Sequence, residues 1–362
     1  MMRVSDEPRT GPTLTRSDLV VAGGSALFLL LAAVTHYLQL PSVLAFTCAG
    51  IAVAGLAALV GRSVEQLGDR FGAGATGVLQ SALGNLPELF IGIFALRAGL
   101  LQVVQAAIIG SILGNGLLVL GIAFIAGGLR NGVQRFDAER ARTICALLLV
   151  VVGALVIPGV ATYTHAPAAG HERLLSIAVS VVLLVVFGLS LPASLERGES
   201  GTAPPLEPPR WPLWLALSML ALSAVAAAFV SDWFVTALTP AMSALHISQA
   251  FAGLVIVAIA SNAIENVVGI QLAFRNRADY ALSVIVNSAL QVALVLAPLL
   301  VLLSLVVGGA ALTLVFAPLL VAAVTLTVLA VSLIIVDGRS NWLEGVALVG
   351  LYAVIAAAFW WG

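Results

Sequence analysis

The sequence predicts an all-α polytopic membrane protein of about 11 transmembrane helices, built as two inverted five-helix repeats plus an extra N-terminal helix. Three observations carry this expectation. The 362 residues are 61% hydrophobic and 9% charged, whereas a soluble domain carries about 25% charge. The apolar residues fall into runs of the length that crosses a bilayer, roughly 20 residues. Two short strings match across the chain at an offset of 177 residues: Gly84-Asn85-Leu86-Pro87-Glu88 and Ser261-Asn262-Ala263-Ile264-Glu265.

Taken in order, residues 1–19 are polar and hold Arg3, Arg9 and Arg16. The first apolar run, near 20–40, is too long for a signal-peptide core and reads as a retained first helix. The following segments run near 43–61, 76–96, 102–127, 143–163, 173–194, 212–237, 248–273, 281–306, 311–336 and 342–361. The polar connection from Glu196 to Arg210 carries Pro204, Pro205, Pro208 and Pro209 and reads as an irregular linker. The resulting division is 1–42 for the tail and first helix, 43–196 for repeat 1, 197–210 for a cytoplasmic linker and 211–362 for repeat 2.

The arginines test this division. All 16 basic residues are arginine. With the N-terminus in the cytoplasm, 14 of the 16 fall on the cytoplasmic side and only Arg97 and Arg173 on the other, as the positive-inside bias requires. An odd number of helices per repeat forces the two copies into opposite orientations, the plan of many secondary transporters.

An acid inside a hydrocarbon-embedded segment is costly and marks function by default. Asn85, Glu88 and Gly92 are spaced to share one helix face, with Ser81 and Gly84 extending it; Asn262, Glu265 and Gly269 repeat the pattern. Each stripe offers a carboxylate, an amide oxygen and a small residue. Pro87 is expected to disturb the helix at Glu88 and free backbone carbonyls. Hard divalent cations seek such oxygens, calcium about 6–8 of them. A packing role for the two acids is the alternative. The next segment of each half adds Gln105, Ser111 and Asn115, then Asn287, Ser288 and Gln291. These could contact an ion or simply join helices by hydrogen bonds. The 177-residue offset favours Ser111 and Ser288. Glu65 and Asp232 could line an entry path or relay protons; pairing with Arg62 or Arg70 is the plainer reading of Glu65.

Cys48 and Cys145 lie in apolar runs without metal-ligand spacing and read as inert buried thiols. His36, His165, His171 and His246 fall near segment ends. No HExxH, Walker-type loop or nucleophile elbow occurs, which argues against an ATP-driven pump or a hydrolase. No basic patch supports nucleic-acid binding. The expectation is a non-enzyme.

The stretches GRSVEQLGDRFG…GNLPELFIGIFALRAGLLQVVQAAIIGSILGNGLLVLG and SNAIENVVGIQLAF…VNSALQVALVLAPLLVL resemble the two repeats of the calcium/proton antiporters, the CAX family of the calcium/cation antiporter superfamily. The direct match runs from about Gly61 to Leu120 and from about Phe229 to Val301. The resemblance implies that Asn85, Glu88, Asn262 and Glu265 are calcium and proton ligands, with Ser111, Ser288 and Gln291 around them. It implies exchange of calcium, or another divalent cation, for protons by alternating access, with no cofactor besides the transported calcium ion and with membrane lipid as surroundings. Two departures stand out. Leu86-Pro87 fills the middle of the first string, where Pro-Glu resembles the sodium/calcium exchanger branch, and Asn266 stands where the family often has histidine. A sodium-coupled exchanger and a passive cation channel therefore stay open. The composition and the lack of a targeting segment suggest a bacterial inner membrane.

Overall fold

In the computed structural model, residues 14–71, 79, 83–199, 209–309 and 311–361 are described, without side-chain detail at 69, 191–199 and 264. The expected Ser81 lies outside these residues, as do Arg3, Arg9, Pro204, Pro205 and Pro208. Twelve helices account for most of the described chain. They are α1 (Arg16–Tyr37), α2 (Ser42–Phe71), α3 (Leu86–Arg97), α4 (Leu101–Asn131), α5 (Ala138–Tyr163), α6 (Glu172–Glu199), α7 (Leu213–Leu245), α8 (Gln249–Ser261), α9 (Ala263–Phe274), α10 (Ala278–Val307), α11 (Pro318–Ile335) and α12 (Trp342–Ala358).

Among the described residues, eight helices are long and apolar enough to cross a membrane. A ninth span counts if α8 and α9, bent by 66° at their junction, are taken as one. α12 is a shorter apolar helix, and the expected segment 76–96 is described only from α3 onward. With no water in the hydrocarbon, every backbone group must be paired within the chain, which is why helices carry the fold. The sheet is one two-residue ladder in which β1 (Gln134–Arg135) pairs antiparallel with β2 (Arg339–Ser340).

Local chemistry sets several boundaries. α1 starts four residues earlier than the apolar run because Thr15 and Asp18 form a capping box. α11 starts at Pro318 and not near 311. Residues 311–317 are apolar but extended, with Leu312, Leu314 and Phe316 buried. Side chains take the place of helix hydrogen bonds there. Gln105 Nε2 donates to the Thr313 and Val315 carbonyls, and the Leu312 and Leu314 amides donate to Ser304 and Ser176 hydroxyls. Hydropathy reads straight through such a segment. α6 continues to Glu199, three residues beyond the expected repeat boundary.

Close approach between α4 and α8 brings the two halves together. A Cβ on Gly110 would stand 2.2 Å from the Leu254 carbonyl oxygen, and one on Gly253 would stand 2.3 Å from that of Val103. Small residues at a membrane helix crossing allow this backbone contact.

Two further features recur at the same offset as the strings. α4 contains a π-helical stretch at Gly114–Val119, and α10 contains one at Val292–Leu296. α8 adds a third at Ala252–Val257. Such bulges rearrange backbone bonds at functional places more often than elsewhere.

Candidate cation site

Both acids stand in the first turn of a short helix that follows a break. Asn85 precedes α3 with φ −92° and ψ 16°, and Asn262 precedes α9 with φ −99° and ψ 17°. The two asparagines therefore share one non-helical conformation at equivalent positions. This corrects the expected continuous stripe, because each Asn belongs to the break and not to the helix face. It also corrects the role of Pro87. The proline sits in the first turn of α3, where its missing N–H would be unpaired in any case, so it starts the helix and does not disturb it at Glu88. The second break forms without a proline. Glu88 and Glu265 lie at helix N-termini, where the helix dipole favours negative charge.

The side chains converge between α3, α4, the α8–α9 break and α10. Ser111 Oγ donates to Glu88 Oε1. The Asn262 amide lies 3.5 Å from that same oxygen, 3.1 Å from Ser111 Oγ, 3.2 Å from Ser261 Oγ and 3.0 Å from the Ala258 carbonyl. Ser288 Oγ donates to Asn262 Oδ1 at 3.4 Å, and Asn115 Nδ2 donates to Ser288 Oγ at 3.1 Å. One network thus joins Glu88, Ser111 and Asn115 of the first half to Asn262 and Ser288 of the second. Glu88, Ser111, Asn115, Asn262 and Ser288 are all at least nineteen-twentieths buried.

Two buried oxygens of this network accept no hydrogen bond, Glu88 Oε2 and Asn115 Oδ1, and Asn266 Oδ1, next to Glu265 in the chain, is likewise buried and unpaired. A buried polar atom is normally paired, and oxygens left open beside carboxylates suit a hard cation. Asn85 Nδ2 is also buried and unpaired. On its other side Glu88 borders a crevice of about 10 Å³ lined by Ile91, Ala95, Val104 and Leu300. Leu300 fills the notch left by Gly92, where a Cβ would stand 2.7 Å from its methyl.

Some expected residues stand apart. Gln291 is half-buried at the end of the α-helical part of α10, just before its π segment. Gln105 braces the extended segment 311–317, as above. Glu65 is exposed near the end of α2, where the neighbouring Arg62 pairs with Asp18 at 2.7 Å. Asp232 is exposed on α7 and lines a separate cavity of about 560 Å³ with Phe94, Arg97 and Thr236. On α3 the two cavities lie on different faces, since Phe94 and Arg97 border one and Glu88, Ile91 and Ala95 the other. Asn115, which the sequence leaves open between helix glue and ion contact, joins the network. Its signal was a polar residue one turn after Ser111 in an apolar run. The histidines sit at helix ends, with His165 and His246 in left-handed backbone, and both cysteines are free and buried.

The chain matches a known family. The model of the sodium/calcium exchanger protein family matches residues 41–195 and 215–361. The chain belongs to that family. Among its relatives is the Ca(2+)/H(+) antiporter of Aphanothece halophytica, 35% identical over 356 residues, covering 93% of this chain and 95% of that one. The Ca(2+)/H(+) antiporter ChaA of Bacillus subtilis is 34% identical over 326 residues, covering 88% and 92%. The structure of native YfkE superposes with a TM-score of 0.80 at 31% identity, covering 94% of this chain and 98% of its own. The resemblance to calcium/proton antiporters drawn from the two strings is borne out, and the protein is a polytopic membrane protein of a transporter family.

Proposed function

We propose that this protein exchanges calcium for protons across a membrane by alternating access, with Glu88 and Glu265 as the shared site. The observation that carries this reading is the network in which Glu88 of one half is held by Asn262 of the other. A site shared between halves changes its exposure when the halves rock against each other. The relatives named as Ca(2+)/H(+) antiporters support calcium and protons as the exchanged ions. Metal binding needs both carboxylates deprotonated, so calcium and protons compete for one place. Neutralisation by either ligand then licenses the swing. Ser111, Ser288, Asn85 and Asn262 surround the acids, and Asn115 joins them. Gln291, Glu65 and Asp232 are assigned to the periphery of the site.

The same reading takes residues 43–196 and 211–362 as inverted repeats of five helices each, with the N-terminus in the cytoplasm of a bacterial inner membrane. Matching breaks at Asn85 and Asn262 and matching π segments support it. The test is calcium uptake into vesicles. A pH gradient alone drives uphill uptake if the reading is right. Uptake driven only by a sodium gradient favours the sodium-coupled exchanger, and purely downhill flux favours a channel.

A further inference from the structure

The helix that carries Glu265 is held at its far end by residues from the other half of the chain. α9 ends at Phe274. Gln134 Nε2 donates to the Ala273 carbonyl at 2.9 Å. Asn131 Nδ2 lies 3.4 Å from the same carbonyl and 3.3 Å from that of Phe274. The Arg130 guanidinium stands 4.1 Å above the Phe274 ring, a cation–π contact. The Ala273 carbonyl also accepts from the Asn276 amide at 3.0 Å, so the clasp adds a second bond there and reaches the Phe274 carbonyl, one of the last of the helix.

The clasp is built, not incidental. Gln134 is 1% exposed, although glutamine is ordinarily a surface residue. Its amide occupies the space that a side chain on Gly127 would need. A Cβ there would stand 2.1 to 2.4 Å from the Gln134 amide atoms. The backbone of Gln134 is pinned by its ladder with Ser340, and the Phe136 amide donates to the Gly338 carbonyl at 3.0 Å. Farther along, the Asp137 amide donates to Asp279 at the start of α10 at 2.6 Å.

The equivalent place in the other half is bare. Gly309 lies 177 residues after Gly132. Its backbone packs on the C-terminus of α3, where a Cβ would stand 2.7 Å from the Leu96 carbonyl oxygen. Each loop therefore meets the acid-bearing short helix of the opposite half, but among the described residues only α9 is gripped by side-chain amides. α9 has a break at its start, and this clasp grips its other end.

We infer that Gln134, assisted by Asn131, is a positioning residue for the cation site, setting where the Glu265 carboxylate stands. The inference rests on Glu265 being a site residue. From Ala273 back to Glu265 is eight residues, roughly 12 Å of helix, so the amide acts only through the helix.

The test is calcium transport by full-length protein in vesicles, with Gln134→Leu, Asn131→Ala and Gln105→Leu compared. Gln105→Leu is the control, because that amide also braces backbone carbonyls but holds no acid-bearing helix. Gln134→Leu is expected to raise the KM for calcium about fivefold to tenfold, as a lost bond to a buried carbonyl implies, at little changed maximal rate. It is also expected to alter the preference between calcium and strontium. Asn131→Ala, at a more exposed side chain, shifts KM in the same direction by less. Gln105→Leu lowers the yield of folded protein but leaves KM and ion preference alone. If Gln134→Leu does not fold, Asn131→Ala decides. Unchanged KM and ion preference in the folded variants overturn the inference. A Glu265→Gln variant with normal exchange would instead overturn the site itself.

Discussion

Ser111 and Asn262 act on Glu88 as one unit, and a double-mutant cycle measures that. Ser111 donates directly to Glu88 Oε1, whereas Asn262 reaches that oxygen only at 3.5 Å but reaches Ser111 Oγ at 3.1 Å. The first is a bond to a charged acceptor, worth about 1.5–3 kcal/mol. Its loss in Ser111→Ala converts to a rise of about tenfold to a hundredfold in the KM for calcium. The direction follows from chemistry. Donors to a carboxylate favour its charged form, which is the form that binds metal, so losing one helps protons against calcium and moves the acid limb of uptake to higher pH. Asn262→Ala also raises KM, but much of its effect runs through Ser111. In the Ser111→Ala background the further effect of Asn262→Ala is therefore smaller, with a coupling of about 0.5–3 kcal/mol as expected for touching residues. The assay is initial calcium uptake against calcium concentration in vesicles, for the parent, both single variants and the double. Additive effects, or a Ser111→Ala KM within twofold of the parent, refute the shared network.

Other expectations concern the acids, the helix crossing and the topology. Glu88→Gln and Glu265→Gln each abolish calcium transport while the protein stays folded and inserted, read by uptake and by size-exclusion in detergent. Gly253→Ala places a methyl 2.3 Å from the Val103 carbonyl oxygen, so the α4–α8 crossing must open. The cost is about 1–3 kcal/mol or more, read as a lower melting temperature in detergent. Tags at Ser200 and near Arg135 report the cytoplasmic side and one near Ala168 the opposite side, and finding Ser200 and Arg135 on different sides rejects the five-plus-five division.

Much of this molecule is legible in its sequence because the bilayer imposes length and apolarity on each helix. The positions of Glu88 and Glu265 stand out because charge is rare in such runs. Ser111 and Ser288 follow from the repeat offset, and both lie in the network. What escapes is backbone detail. The π segment at Val292–Leu296 has no side-chain signature, and hydropathy cannot separate the extended residues 311–317 from a helix when Gln105, Ser176 and Ser304 supply the missing hydrogen bonds. Pro87 misleads for a related reason. A proline breaks a helix interior but fits its first turn, and only the conformation of Asn85 tells which applies. The Gln134 clasp is invisible in sequence because it joins residues 139 apart, through a loop that reads as polar surface.

Competition between calcium and protons for Glu88 and Glu265 is the central claim, and calcium affinity as a function of pH tests it most directly. The measurement is calcium binding to the purified protein without sodium, from about pH 5.5 to 8.5, where carboxylate protonation opposes metal binding. The affinity is expected to weaken steadily as pH falls, with at most two protons released per calcium bound by a coupled pair of acids. In Glu88→Gln the proton release per calcium falls along with the affinity. A calcium affinity that stays flat across this range contradicts proton coupling at these acids.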